Sequence, residues 1–266
     1  MAGTFVGDLP AEVAFEPFPA DIADRETVQR VVAAAAPEVV IHLAGLSHVG
    51  ASWDRIADYF RVNVEGTHNI LETAGEARVV VASSAEVYGL VPAERQPIVE
   101  SSRLDPRNPY AMSKAAAELL AEEHGAIVVR SFNLIGPGQA ETFALPSFAR
   151  QLRQIAAGDA PAVLRVGNLE PQRDFLHVDD AIDAYELVAR EGHPGEAYNL
   201  GTGEVHSIRQ ILDLLLEIAG VAAEIEVDPE RFRPVDVPVT CADVGKIGAL
   251  GWSPTLSVAQ ALDDLW

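Results

Sequence analysis

Apolar and polar positions alternate along the chain in blocks that predict a repeating order of strands and helices. Residues 1–20 hold prolines and glycines with little periodicity, so a partial strand and a loop are expected there. Arg25 to Ala36 has helical composition, with Asp24 placed to cap it. The run Val39-Val40-Ile41-His42-Leu43-Ala44 is almost wholly apolar, the pattern of a strand covered on both faces. A helix from Ile56 to Ala74 and a second buried strand from Arg78 to Ser83 follow. Pro109 suits the first turn of a helix, where its missing N–H is no loss, and Ala111 to Leu120 is rich in helix formers. A third strand is expected over Ala126 to Phe132. Strands alternating with helices predict a parallel α/β sheet.

Beyond Phe132 the pattern changes. Ile135-Gly136-Pro137-Gly138 reads as a turn, and Ala144 to Ala157 as a helix. A short strand over Val163 to Gly167, a helix over Asp180 to Arg190, and an amphipathic helix over Ile208 to Ala219 capped by Ser207 come next. Arg233 to Pro238 must be extended or turning, because a residue before proline is pushed out of the helical region. Gly251-Trp252-Ser253-Pro254 precedes a last helix that runs to Trp266.

Ligands of parallel sheets bind beyond the carboxyl ends of the strands. Gly45 and Ser47 follow one predicted strand, Ser83 and Ser84 the next, and Asn133 the third, while Tyr110 begins the intervening helix. Gly45, Ser84, Tyr110 and Asn133 are therefore expected to line one crevice. Tyr110 and Lys114 are four apart and share a helix face. A nearby ammonium favours a phenolate, so the pair suits proton transfer to or from a carbonyl or alcohol. Lys114 and Lys246 are the only lysines in the chain, and there are five tyrosines.

Composition narrows the partners. The 266 residues suffice for one large domain or a domain with a small lobe. A net charge of −21 argues against nucleic acid or an anionic membrane as partner, while a few clustered arginines would still hold a phosphorylated small molecule. One cysteine, Cys241, excludes an internal disulfide framework and fits a reducing compartment. No apolar run approaches a membrane span and the N-terminus lacks a signal-peptide pattern, so a cytoplasmic protein is expected. The sequence spacing suggests no metal-ligand set.

Several segments carry a resemblance. They are IHLAG (Ile41–Gly45), VNVEGT (Val62–Thr67), SSAEVYG (Ser83–Gly89), NPYAMSK (Asn108–Lys114) and RSFNLIGPGQ (Arg130–Gln139), then RVGNLEPQRDFLHVDD (Arg165–Asp180), YNLGTG (Tyr198–Gly203) and RPVDVP (Arg233–Pro238). On these the chain resembles the extended short-chain dehydrogenase/reductases, the family of nucleotide-sugar epimerases, dehydratases and reductases. Within it the segments look most like those of the GDP-4-keto-6-deoxy-mannose reductases, with GDP-mannose 4,6-dehydratases as near relatives.

The resemblance implies a Rossmann-like parallel sheet with a small C-terminal α/β substrate lobe, the core spanning residues 1–135 and the lobe mainly 136–266. It implies NAD or NADP as cofactor, a nucleotide-sugar substrate, and a homodimer formed through the helices Ile56–Ala74 and Ala111–Glu123. Tyr110 would donate a proton to the sugar C4 oxygen, and Lys114 would bind the nicotinamide ribose and lower the Tyr110 pKa. Ser84 would hydrogen-bond the same oxygen. Asp21 and Ile22 match the pair flanking the adenine, Leu43, Ala44 and Gly45 the strand end beside the cofactor, and Phe132 the position near the nicotinamide. Asn133, Arg173 and Arg233 match positions that hold the sugar nucleotide, with Asn168 near the base and Asp236 near the ribose or sugar.

The activity so implied is NAD(P)H-dependent reduction of the 4-keto group of a GDP-6-deoxy-hexose. Glu86 keeps a dehydratase or epimerase reading open, since dehydratases of the family use Glu at this position as a base. Two departures stand against the family pattern. Leu134 occupies a position where related reductases often have His. The opening strand and Gly-rich turn of the GxxGxxG type are missing, although Gly3-Thr4-Phe5-Val6-Gly7 faintly resembles the end of that turn. Asp21 follows too soon for an intervening helix and strand, and about 40 residues are expected to be absent relative to the family. A misassigned start, a shortened chain or an inactive remnant would each account for this.

Overall fold

The computed structural model describes residues 17–232 and 237–266. The expectations for residues 1–16, and for Arg233 and Asp236, lie outside them.

The first helix, α1 (Arg25–Ala35), starts where its cap predicts, with the Asp24 carboxylate accepting from the N–H groups of Glu26 and Thr27. It is followed by β1 (Val39–His42) and the short α2 (Val49–Ser52). The long helix expected next is built in three parts: α3 (Ile56–Tyr59), a π-helical stretch (Phe60–Glu65) and α4 (Gly66–Thr73). Then come β2 (Arg78–Ser84), α5 (Pro109–Glu123) and β3 (Ile127–Ser131). These strands pair in parallel, and Ala197–Leu200, a strand that the sequence did not announce, extends the sheet beyond β3.

Both faces of the sheet are covered, and the period of two along each strand divides its side chains between them. Val79 and Val81 of β2, with Val128 of β3, pack under α4 and α5 together with Leu71 and Ala121. Val80, Ile127 and Val129 face the other way, onto Ala181, Ala184 and Val188. The strand β1 departs from expectation. Val39 and Ile41 are 44% and 41% exposed, so it is covered on one face only. It is the outer strand of the described sheet.

The second half of the chain adds β4 (Asn133–Ile135), α6 (Ala144–Ala156), β5 (Val163–Val166), β6 (Gln172–Arg173), β7 (Phe175–His177) and α7 (Val178–Glu191). After β8 (Ala197–Leu200) come β9 (His206–Ser207), α8 (Ile208–Ala219), β10 (Glu224–Val227), β11 (Val239–Thr240), α9 (Gly245–Gly248) and α10 (Val258–Leu265). Three small sheets result: β5 with β10, β4 with β7, and β6 between β9 and β11. A second apolar core, including Phe148, Leu152, Leu164, Ile211, Leu215 and Leu262, joins α6, α8 and α10 over β5. Among the described residues no helix is long and apolar enough to cross a membrane.

One charged pair lies inside. Arg130 of β3 donates from Nη2 and Nε to Glu118 Oε2 of α5 at 2.8 and 3.0 Å. Its Nη1 donates to the Tyr88 hydroxyl at 2.9 Å and the Glu100 carbonyl at 2.8 Å. Tyr88 in turn donates to Asn199 Oδ1 of β8 at 2.7 Å, and Ser83 donates to Glu118.

His42, at the end of β1, is buried with Nε2 3.0 Å from Thr67 Oγ1. Thr67 spends its only hydroxyl proton on the Asn63 carbonyl at 2.6 Å, so His42 Nε2 must carry the hydrogen of their bond. Burial, aided by the nearby Lys114 charge, lowers His42 from its ordinary 6.5 to about 4. The unfolded chain takes up this proton near 6.5 and the folded chain only near 4, so stability is lost as pH falls through that window. The loss amounts to about 3 kcal/mol by pH 4. A melting-temperature series from pH 7 to pH 4 should fall more steeply for the wild type than for His42→Gln, and identical slopes would refute a neutral buried His42.

Candidate functional site

The carboxyl ends of β1, β2 and β3 open into a cavity of about 510 Å³. Its lining includes Leu43, Gly45, Ser84, Glu86, Tyr110 and Lys114 from the first half of the chain, with Phe132, Asn133 and Arg173 beyond. The crevice expected from Gly45, Ser84, Tyr110 and Asn133 is therefore one continuous space.

The placement of α5 organises it. Asn108 caps the helix, its Oδ1 accepting from Ala111 N–H at 2.8 Å, while its Nδ2 donates to Glu86 Oε2 at 2.9 Å. One side chain thus fixes the start of the helix and aims the Glu86 carboxylate. Ala111, Ala115, Ala117 and Ala121 are buried, and these short side chains let α5 lie close to the sheet. Lys114 can then donate from Nζ to the Ala82 carbonyl of β2 at 2.8 Å. Tyr110 is buried edge-on against Tyr59, with ring centroids 6.3 Å apart, and lines the cavity together with Ser84.

The electrostatics differ from the expectation that Lys114 acidifies Tyr110. Burial pushes the Tyr110 phenol well above its ordinary value, the neighbouring Ser84 pulls it back in part, and the Glu86 charge adds to the rise. Burial lowers Lys114 to about 8, opposed by the Glu118 carboxylate one turn further along α5. Tyr110 is consequently a neutral phenol at physiological pH, a proton donor held in an apolar wall.

Two glycines are needed where they stand. A Cβ on Gly45 would come within 3.0 Å of Asn63 Oδ1 and 3.4 Å of Lys114 Nζ, so bare backbone keeps the space beside the lysine open. A Cβ on Gly66 would meet the Ile22 side chain at 2.6 Å, so that glycine seats Ile22 against α4.

Ile22 and Ala44 line a second, apolar cavity of about 290 Å³, and Gly45 and Leu46 border both spaces. Asp21 is exposed and pairs with Arg61 at 3.2 Å. An elongated ligand laid across Gly45 would have an apolar recess at one end and Lys114, Ser84 and Tyr110 at the other. That arrangement fits a dinucleotide whose adenine sits beside Ile22 and whose nicotinamide ribose meets Lys114.

Arg173 is buried rather than spread on the surface, and donates from Nη1 to the carbonyls of Val237 and Gln172 at 2.6 and 2.9 Å. Its neighbour Asp174 is fully buried and accepts from Thr202, Gly203 and Ala242 N–H groups at 2.7–3.1 Å, tying Arg173 to the YNLGTG loop. Asn168 lines neither cavity; its Oδ1 accepts from Glu170 N–H at 3.1 Å. Arg233 and Asp236 lie outside the described residues.

Sequence reasoning missed three contributors. Asp174 lies inside a recognised segment without announcing its role. Tyr185 of α7 lines the large cavity with its hydroxyl 3.2 Å from Ser131 Oγ, and burial raises it to about 12. Asn63, in the π-helical stretch, accepts from Leu46 N–H at 2.7 Å and donates to the Leu46 carbonyl at 3.0 Å and to Ser113 at 2.9 Å. Its appearance within VNVEGT was the available signal.

Asn63→Ala would leave both Leu46 backbone groups without this partner and loosen the Gly45–Ser47 loop. We expect a stability loss of about 2–3 kcal/mol in denaturant unfolding, together with weaker dinucleotide binding. An unchanged midpoint would remove Asn63 from this role.

Comparison with known proteins follows the same lines. The sequence model described as GDP-mannose 4,6 dehydratase matches residues 8–265. GDP-6-deoxy-D-mannose reductase of Pseudomonas aeruginosa is 37% identical over 238 residues, 85% of this chain and 78% of that protein. The solved structure of RMD from P. aeruginosa complexed with NADPH superposes with a TM-score of 0.88 at 34% identity, covering 95% of this chain and 88% of the other. The UDP-glucose 4-epimerase of Thermus thermophilus, solved with NAD, gives 0.83 at 30% identity, covering 97% and 86%. With its Ser84–Tyr110–Lys114 constellation at the ends of a parallel sheet, the chain belongs to the GDP-mannose 4,6 dehydratase family of the extended short-chain dehydrogenase/reductases.

Proposed function

We propose that the protein reduces the 4-keto group of a GDP-6-deoxy-hexose, GDP-4-dehydro-6-deoxy-D-mannose being the first candidate, with NADH or NADPH as the reductant. The observation that carries this reading is a buried Tyr110 with Ser84 and Lys114 on the wall of one cavity that also holds Arg173. A bound reduced nicotinamide supplies the hydride. Tyr110 gives its hydroxyl proton to the alkoxide oxygen formed at C4, and Ser84 donates a hydrogen bond to that oxygen as charge develops. Lys114 holds the ribose hydroxyls, and its ammonium stabilises the tyrosinate left behind. The Arg173 guanidinium suits the diphosphate. Asn133 lines the same space, and Asn168, Arg233 and Asp236 remain proposed substrate contacts from the family motifs.

A second reading as a 4,6-dehydratase keeps one observation in its favour: Glu86 lines the cavity, its carboxylate oriented by Asn108. The two readings differ in cofactor balance. A reductase consumes one reduced nicotinamide per 4-keto sugar, whereas a dehydratase converts GDP-mannose with no net change in cofactor.

We also propose a core through residue 135 and a substrate lobe from 136, supported by the apolar cluster of α6, α8 and α10, whose buried members all lie at or beyond Ile135. The acidic charge and the single buried cysteine support a cytoplasmic setting. A homodimer through α3–α4 and α5 is supported by apolar side chains left exposed on those helices, Ile56, Phe60, Met112 and Leu119, the last 62% exposed.

Tyr110→Phe should lower kcat for NAD(P)H-dependent reduction of the 4-keto sugar nucleotide by about 10²–10⁴-fold with little change in cofactor affinity. Turnover at the wild-type rate would sink the assignment. If GDP-mannose is consumed instead without cofactor oxidation, and Glu86→Gln abolishes it, the dehydratase reading holds. Light scattering should give twice the chain mass, and Leu119→Glu should weaken self-association at least tenfold; a monomeric wild type would overturn the dimer.

A further inference from the structure

We propose that His68, Glu72 and His124 form a divalent-metal site of Zn²⁺ type that clamps α4 to the end of α5. His68 and Glu72 are four apart on α4 and share one face, while His124 is the residue that closes α5. One ligand atom from each of the three lies within 4.8 Å of the others. The two imidazole rings stand 6.2 Å apart and nearly perpendicular.

The hydrogen bonding of these groups is incomplete in the way a cation would complete. His124 Nδ1 lies 2.8 Å from the Leu120 carbonyl, which has no proton to offer, so Nδ1 must be the donor. His124 Nε2 then faces Glu72 Oε1 at 3.1 Å, a lone pair against a carboxylate unless something positive stands between them. A second proton meets that need, and Glu72 does hold His124 above its ordinary pKa. His68 Nδ1 is buried with no hydrogen-bond partner at all. A metal ion satisfies Nε2 of His124, the carboxylate and a His68 nitrogen together.

The chemistry selects the ion. Two imidazoles and one carboxylate suit Zn²⁺, with water in the fourth position. An N–H of a ligating histidine held by a backbone carbonyl is the usual outer contact of such sites. Bonds of about 2.0 Å require ligand atoms about 3.3 Å apart, a spacing His124 and Glu72 already meet at 3.1 Å, so His68 has to close by at most about 1.5 Å. Arg25 is the competing cation, its Nη2 3.6 Å from Glu72 Oε2, on a side chain 60% exposed and free to swing. Glu123 adds negative charge beside His124. The site is a structural staple, not a catalytic one: fourteen residues of helix separate His124 from Tyr110, about 21 Å.

The test is calorimetric titration of the untagged protein with ZnCl₂, checked by the visible absorption of the Co²⁺ form. One saturable micromolar site with tetrahedral Co²⁺ bands is expected. The paired substitution His68→Ala and His124→Ala should weaken it at least a hundredfold, and Glu72→Gln at least tenfold. His193→Ala, at an exposed histidine elsewhere, should leave it unchanged. Unfolding curves of the metal-free variants that match wild type would tie the loss to ligation; should the double variant not fold, Glu72→Gln alone decides. No saturable binding, or equal affinity in the Glu72→Gln and double variants and wild type, overturns the proposal.

Discussion

The buried pairing of Glu118 with Arg130 is the interaction on which the geometry of the site depends. Glu118 lies one turn beyond Lys114 and two beyond Tyr110 on the same face of α5. Fixing its carboxylate against a guanidinium from the neighbouring strand therefore fixes the rotation of the helix, and with it where the lysine and tyrosine point. Removing one partner of such a pair strands the other charge in the interior and typically costs about 3–5 kcal/mol. The same guanidinium reaches Tyr88 and, through it, Asn199, so the end of β2, the middle of α5 and the returning strand β8 share one polar knot. Its alternatives are poor because every member is buried. The knot therefore sets a single arrangement at the floor of the cavity.

Above that floor the site works by exclusion of water. An acidic chain with a net charge of −21 repels anions at long range, yet the proposed ligands are both diphosphates. Affinity must come from short contacts: Arg173 and Lys114 are the cations lining the large cavity among the described residues. Screening shrinks the long-range penalty beyond roughly 8–10 Å, while a guanidinium in a buried wall keeps its pull. Desolvation also raises the Tyr110 pKa further above its ordinary value, so one property bears on both binding and proton delivery.

Much of this was legible in the sequence because it rests on local rules. The caps Asp24 and Ser207 and the first-turn Pro109 announced their helices, and the apolar run of β2 marked a buried strand. β1 looked the same and is covered on one face only, because periodicity reports side-chain type and not which neighbours a strand has. The strands of two to four residues in the second half, β6, β9 and β11 among them, carry too few positions for any period to appear. Asn63 and Asp174 lay inside recognised segments, yet their partners were not legible: each acts through backbone groups distant in sequence, and nothing in a polar residue's identity says which carbonyl or amide it will meet. The relation between Lys114 and Tyr110 was read as a matter of neighbouring charge. Folding made it a matter of burial, which spacing alone does not encode.

The scarcity of lysine has a consequence for covalent chemistry. Lys246 is engaged with Glu196 and with the carbonyl of Ala197, and lies 4.8 Å from the Tyr198 ring centroid. Lys114, held near 8, has a substantial uncharged fraction in mildly alkaline solution and faces a cavity open to small molecules. Acylating agents that seek free side-chain amines thus find their most nucleophilic lysine inside the site itself. Acylation at Lys114 is in effect a report on whether the cavity is filled.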